Sequence, residues 1–438
     1  MGAPIGIALL GAGTVGQGVT RALEAGAERY DARVGRPLAL RAVLVRDAQR
    51  QRDGVPADRL TTDLDALLAD ESTHIVVELL GGEEPARAYI ERALRSGRHV
   101  VTANKEVMAK HGAALLAIAA EHGVRLLYEA AVGGGIPIIS PLSRDLLANE
   151  ITAVTAIING TTNYMLTAMA QVGAEYDEVL VEAQRLGYAE PDPTADVDGE
   201  DAAYKLAILC GLAFHVAVPP EAVSRQGIRG LTSTDLRYAE ELGYAIKLLA
   251  QGRMTSGPEG RELIATVAPT LIARDEPLAK VDGVLNAVQL EGDLVGRVLF
   301  EGAGAGPLPT ASAVLADVLD VARDIATGRR PPEAAPFAPA RVRAPEQIVS
   351  RHYLRLTVAD HAGVLAGVAG ILGRHEISLA SVMQSAADAE AGSAELVITT
   401  HPAPGGRLRA ALDGIAALEG DVLAIGSVLP IQGDGGAR

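Results

Sequence analysis

The chain has 438 residues, 48% hydrophobic and 21% charged, with 39 Lys and Arg against 55 Asp and Glu for a formal net charge of −16. That length exceeds one compact core and suits two or three domains, and the composition is globular rather than disordered. The acidic balance opposes binding to nucleic acid or an anionic membrane, because phosphate contacts need clustered cations. No apolar run reaches the ~20 residues of a bilayer span, and the segment 1–10 lacks the basic start of a signal peptide. The expectation is a cytoplasmic protein that handles small metabolites. A single cysteine, Cys210, excludes an intrachain disulfide framework, and nine His without HxxxH spacing speak against a catalytic zinc.

From residue 5 to about 130, short apolar runs alternate with amphipathic stretches. The pattern predicts strands at 5–10, 38–45, 75–80, 99–102 and 125–128, with helices at 85–95 and 107–122 between them. This order reads as α/β, a doubly wound parallel sheet. After Gly133-Gly134-Gly135 the character becomes α+β. A strand is expected at 151–158, helices at 164–171, 176–186 and 201–213, a strand at 262–267, and a hairpin of 286–290 with 294–300. A helix at 311–327 follows the glycine-rich run 302–306. Residues 328–348, with Arg329-Arg330-Pro331-Pro332, are a linker by composition. The last segment, 349–432, has room for one small βαββαβ unit. The domains are therefore expected at 1–132, with 302–327 returning to it, at 133–301 and at 349–432.

Gly11-Ala12-Gly13-Thr14-Val15-Gly16 follows an apolar strand and opens a helix. The first glycine makes the tight turn, the second lets a pyrophosphate approach the backbone, and the third permits close helix–strand packing. Gly11, Gly13, Thr14, Val15 and Gly16 are therefore candidate cofactor contacts, the helix N-terminus offering its free N–H groups to phosphate. The second strand ends at Val45-Arg46-Asp47. Arg46 suits the 2′-phosphate of NADP, and Asp47 keeps NAD use open.

Only five lysines stand against thirty-four arginines. Lysine can give up a proton where arginine cannot, so a retained lysine is a candidate for proton chemistry. Lys105 in Thr102-Ala103-Asn104-Lys105 lies beyond a parallel strand, in the crevice where open α/β sheets bind ligands. The densest chemistry runs from Gly187 to Lys205, where a proline-stiffened loop carries Glu190, Asp192, Asp196, Asp198, Glu200 and Asp201 into an apolar helix. Asp198 is expected as the helix N-cap, and Asp201 and Lys205, four apart, project from one helix face.

These motifs, with Asn159-Gly160-Thr161-Thr162-Asn163-Tyr164 and Gly302-Ala303-Gly304-Ala305-Gly306-Pro307, resemble the homoserine dehydrogenase family over residues 5–325. The resemblance implies NAD(P)-dependent hydride transfer between L-homoserine and L-aspartate 4-semialdehyde. It implies Lys205 as general acid/base with Asp201 as its polar partner, and Glu190 and Asp196 as substrate-binding residues. Lys105 would lie beside cofactor and substrate, and Gly302 would return to the cofactor. It also implies a structural sodium held mostly by backbone oxygens of Glu129, Val132, Gly134 and Ile136, and a homodimer or homotetramer. A free lysine has a pKa of about 10.4, so a protonated Lys205 suits aldehyde reduction and a neutral one suits alcohol oxidation.

Val358–Ala366, Gly370-Ile371-Leu372, Ile377-Ser378-Leu379 and Ser381-Val382-Met383-Gln384 resemble an ACT domain, with Ala362 where that family commonly has proline. The resemblance implies an amino-acid effector, with threonine the candidate; a purely oligomerising domain is the alternative. Two other readings compete. A semialdehyde dehydrogenase needs a reactive cysteine, and Cys210 sits in an apolar helical segment that reads as core. A catalytically inactive nucleotide- and amino-acid-binding regulatory protein would not need Lys105, Glu190, Asp201 and Lys205 together.

Overall fold

The computed structural model describes residues 2–257, 260–330, 337–388 and 392–433, so Pro331 and Pro332 of the expected linker lie outside the described residues. The chain divides into two compact units. One comprises Met1–Val154, Tyr204–Pro220 and Asn286–Ala340; the other comprises Thr155–Ala203, Glu221–Leu285 and Arg341–Arg438.

Six parallel strands form the first unit's main sheet. Their spatial order is Leu60–Thr61, Leu38–Leu44, Ile5–Leu10, Thr73–Glu78, His99–Thr102 and Leu126–Leu127. Strand addition thus reverses direction beside Ile5–Leu10, the switch point at which such sheets bind ligands. Ile5–Leu10 carries no polar side chain and is buried at every position, as a strand covered on both faces must be. Helix Pro307–Thr327 returns to this unit, and its Ala311, Val314, Val318 and Val321 join one core with Ile5, Ile7, Leu9, Ile75 and Val77. Glycine sets how close the return can be: a Cβ on Gly18 would lie 2.9 Å from the Pro307 carbonyl oxygen.

The second unit is built on antiparallel pairing. Strands Tyr244–Gly257 and Gly260–Ala273 pair along their full length. Of this hairpin only 262–267 is legible as strand in the sequence. The run Ala-Ile-Lys-Leu-Leu-Ala at 245–250 suits a helix as well as a strand, and the facing strand decides the matter. Further along, strands Val422–Ile431, Val349–Ala359, Ser393–Thr400 and Leu379–Asp388 lie side by side in that order. Helices Val364–Arg374 and Gly405–Ala416 cover the sheet, with Val368, Leu372, Leu408 and Ile415 packing on Leu354, Leu356 and Leu396. This is the βαββαβ order expected from the sequence.

A buried ion pair anchors that module inside its unit. Asp235 is fully buried and accepts from Arg355 Nε at 2.7 Å, Ser427 Oγ at 2.8 Å and the Thr232 amide at 3.0 Å. Nearby in the same sheet, burial pushes the His352 imidazole down to about 4. The unfolded chain, with its ordinary value near 6.5, therefore takes up the proton first. Stability present above pH 6.5 is lost as pH falls toward 4, by up to about 1.4 kcal/mol per pH unit. We expect the urea midpoint to drop between pH 7 and pH 5, and the drop to shrink in His352→Leu; an undiminished drop would assign the sensitivity elsewhere.

Candidate functional site

In the first unit the glycine loop leads from strand Ile5–Leu10 into helix Thr14–Ala25. Gly11 has φ +106, and a Cβ on Gly16 would lie 2.5 Å from the Gly11 carbonyl oxygen, so both positions require glycine. Gly13 differs: it is exposed, with φ −75 and nothing within 4 Å of a Cβ placed there. The helix has no side-chain cap at Gly13, which leaves its first N–H groups free for an anion. Thr14 and Val15 begin that helix. The loop fits a dinucleotide pyrophosphate by its donors and its open space. Past the second strand, Arg46 is exposed and forms no ion pair among the described residues, while the Asp47 carboxylate closes a local turn by accepting from the Gln49 amide at 2.8 Å.

Lys105 is the first residue of helix Lys105–Glu121, capped by Asn104, whose side chain accepts from the Val107 amide at 3.1 Å. What holds this cap lies outside any local sequence pattern. Glu78, at the end of its strand and fully buried, accepts from the Thr102 hydroxyl at 2.5 Å and the Leu80 amide at 2.7 Å. Burial pushes its carboxyl upward in pKa. Thr102 Oγ1 in turn accepts from the Asn104 amide at 3.0 Å, and Asn104 Nδ2 donates to the Gly82 carbonyl at 2.8 Å. One turn on, Lys110 pairs with Glu83 at 2.8 Å and Glu106 at 2.7 Å, and its ammonium sits 5.5 Å from the Tyr204 ring centroid. The hydrogen bond from Lys110, with that of His111, holds Glu83 down at about 2. Through Tyr204 the helix that begins at Lys105 meets the helix that carries Lys205.

At 129–136 the Glu129 carboxylate accepts from the amides of Ile138, Ile139 and Ser140 at 2.6, 2.8 and 2.7 Å. It is thereby committed to protein donors. Among the described residues no group of three or more His, Cys, Asp or Glu side chains could hold a metal. The turn itself is buried at Glu129, Val132, Gly134 and Ile136, with φ +73 at Gly133 and +53 at Gly134. A Cβ on Gly134 would fall 2.3 Å from the Gly304 carbonyl oxygen. A buried turn whose remaining donors are neutral carbonyls fits a hard monovalent cation better than a transition metal. Gly302 packs on Ile136, with a Cβ there 3.3 Å from Cγ1.

The second unit holds the acids. Asn159 caps helix Gly160–Val172, its Oδ1 accepting from the Thr162 amide at 2.9 Å. Its Nδ2 donates to Asp196 Oδ1 at 2.7 Å and to Asp201 Oδ2 at 3.0 Å. Thr161 Oγ1 donates to the Tyr188 carbonyl at 2.6 Å, and Gln184 Nε2 donates to the Glu190 carbonyl at 3.1 Å, so the loop bearing the exposed Glu190 is tied down at both ends. Asp201 is 4% exposed, in the first turn of helix Glu200–Phe214; Lys205, half-buried, lies one turn on.

Asp198 is not the N-cap of that helix. It ends the preceding turn Thr194–Val197, and its carboxylate pairs with Arg229 at 2.6 Å. Gly199, with φ +78, makes the break between the two helices and lets the second start at Glu200. Another of the five lysines, Lys247, and the single cysteine resolve into structure. Lys247 is buried and held by Asp282 at 2.8 Å and the Val281 carbonyl at 2.7 Å. Cys210 is fully buried, and burial pushes its thiol upward, away from nucleophilic use.

A dinucleotide loop at the switch point of a six-stranded parallel sheet defines the class of NAD(P)-binding proteins. Residues 11–129 match the model of the homoserine dehydrogenase NAD binding domain, 137–319 that of homoserine dehydrogenase itself, and 352–419 that of the ACT domain. The chain is 45% identical to the homoserine dehydrogenase of Synechocystis sp. over 94% of its length and 96% of the relative's. It superposes on a homoserine dehydrogenase from Thiobacillus denitrificans with TM-score 0.90 at 41% identity, over 98% of each chain. A hyperthermophilic archaeal homoserine dehydrogenase solved in complex with NADPH is 27% identical, with TM-score 0.62, over 76% of this chain and all of that one. The chain belongs to the homoserine dehydrogenase family. Nothing in these matches supports the inactive regulatory alternative.

Because Gly13 faces open space, Gly13→Val is expected to leave the unfolding midpoint unchanged and to raise the KM for the nicotinamide cofactor at least about tenfold. Gly16→Ala is expected to lower the midpoint instead. Equal cofactor affinity in Gly13→Val and the wild type would place the pyrophosphate elsewhere.

Proposed function

We propose that this chain interconverts L-homoserine and L-aspartate 4-semialdehyde with NADP(H) preferred over NAD(H), and that Lys205 moves the proton at the reacting oxygen. The observation that carries the reading is the joining of Asp196 and Asp201 on one amide, with Lys205 one turn further along the same helix. Bound NADP(H) would take or supply the hydride. Lys205 would give a proton to the oxygen as the aldehyde is reduced, and take it back in the oxidation. Asp201 orients the lysine ammonium, Glu190 and Asp196 receive the substrate ammonium, and Lys105 stands beside cofactor and substrate. Gly302 closes on the cofactor. An exposed Arg46 beside an Asp47 committed to its own turn supports the 2′-phosphate preference, in line with the NADPH complex of the archaeal relative.

The remaining roles belong to the same reading. The domains are 1–132 with 302–327, 133–301 and 349–432, in a cytoplasmic homodimer or homotetramer. Sodium would be held by backbone oxygens of Glu129, Val132, Gly134 and Ile136, where it would stiffen the glycine turn. Threonine would act through the ACT domain; there Gly363, with φ +104, opens helix Val364–Arg374 after the exposed Ala362. Activity unchanged by millimolar threonine would leave that domain an oligomerising one.

The deciding assay follows NADPH and NADH oxidation with L-aspartate 4-semialdehyde in the wild type and Lys205→Ala. The variant is expected to lose at least about 100-fold in kcat with NADPH affinity kept, and wild-type homoserine oxidation to climb toward alkaline pH. An unimpaired variant would remove Lys205 from the chemistry, and equal kcat/KM for the two cofactors would remove the NADP preference.

A further inference from the structure

We infer that Asn159 is a positioning residue for the reaction: its side-chain amide sets the placement of Asp196 and Asp201 across a glycine break. The inference rests on the assignment of Asp201 and Lys205 above and adds to it the residue that fixes their geometry.

The amide has no freedom in its orientation. Oδ1 accepts from the Thr162 amide at 2.9 Å and lies 2.9 Å from the Thr162 hydroxyl, while Nδ2 stands 2.7 Å from Asp196 and 3.0 Å from Asp201. Turned over, the carbonyl would face two carboxylates and the NH2 would face a backbone N–H, so donor matching leaves one arrangement. Both Nδ2 protons are then in use, one for each acid. Asn159 and Asp201 are 5% and 4% exposed, so water offers no substitute donor.

The two acids do not share a helix. Asp196 lies in Thr194–Val197 and Asp201 in Glu200–Phe214, with Gly199 at φ +78 between them. A Cβ on Gly199 would come 3.1 Å from Val267 Cγ1, so the break is packed against the long hairpin. Two carboxylates drawn together repel each other, and the backbone offers a bend at the point where that repulsion acts. Asn159 spans the bend with one hydrogen bond to the acid on either side. Its neighbour Thr161 ties the loop of Glu190 to the same helix start. A single N-terminal turn, Asn159 to Thr162, therefore indexes all three acids to one rigid element.

The test separates this role from helix capping. Ser and Asp cap as well as Asn does, but Ser is too short to reach both carboxylates and Asp has no NH2 to give. In Asn159→Ser we expect an unfolding midpoint within ~5 °C of wild type, an unchanged KM for NADPH, and a kcat for semialdehyde reduction lowered about 30-fold or more. A kcat within threefold of wild type would overturn the inference and leave Asn159 a helix cap. Should the Ser variant lose more than ~10 °C, the near-isosteric Asn159→Asp decides: kcat restored to wild type would overturn the inference, and kcat still depressed in a folded protein would support it. Lys205→Ala is run alongside. If that variant is active, the underlying assignment has failed; if it is inactive while Asn159→Ser is normal, only the positioning role has.

Discussion

A carboxylate taken out of water at the start of an apolar helix needs donors, and Asn159 supplies one to Asp201 at 3.0 Å. Helix Glu200–Phe214 is apolar from Leu206 onward and buries Leu206, Leu209 and Cys210 completely. Burying that body draws the first turn inward and leaves Asp201 nearly without solvent. A desolvated charge without hydrogen bonds is costly. The cap of a different helix, Asn159, meets part of the demand and is itself locked by Thr162. Glu78 repeats the logic in the first unit, as a buried carboxyl whose bonds run through Thr102 and Asn104 to the start of the Lys105 helix. In both places a buried acid and its donors stiffen the backbone at a helix start within its own unit.

Glycine supplies the other constraint. Gly11, Gly16, Gly18 and Gly134 each stand where a Cβ would come within 3.0 Å of a carbonyl oxygen. At Gly18 the contact lets helix Pro307–Thr327 pack against the first helix, so that a segment distant in sequence completes the core of the dinucleotide unit. At Gly134 it sets the 129–136 turn against the 302–306 loop. Gly13 alone in the nucleotide loop opens on free space, which separates it from the glycines that the fold itself requires.

The C-terminal module is bound into its unit by chemistry unrelated to its own core. The pairing of Leu271 with Ile431 continues the long hairpin into the module's sheet, and Asp235 receives Arg355 and Ser427 from two of the module's strands. A buried pair of this kind adds little net stability over apolar packing, but it specifies one arrangement, because any other would strand both charges.

The sequence alone determined whatever depends on local pattern. The parallel strands, the nucleotide loop and the βαββαβ order rest on hydrophobic period or glycine spacing, and the candidate lysines and acids on motif, all written within a few residues of one another. Tertiary structure decided the rest. The strand Tyr244–Gly257 exists because Gly260–Ala273 lies beside it. Asp198 left the helix cap for Arg229, thirty-one residues away, because Gly199 broke the chain first. Asn159, Glu78 and Asp235 drew their importance from partners 24 to 192 residues distant. A hydrogen bond across such a separation leaves no periodic trace in the sequence. Only the folded chain shows which donor meets which buried acid.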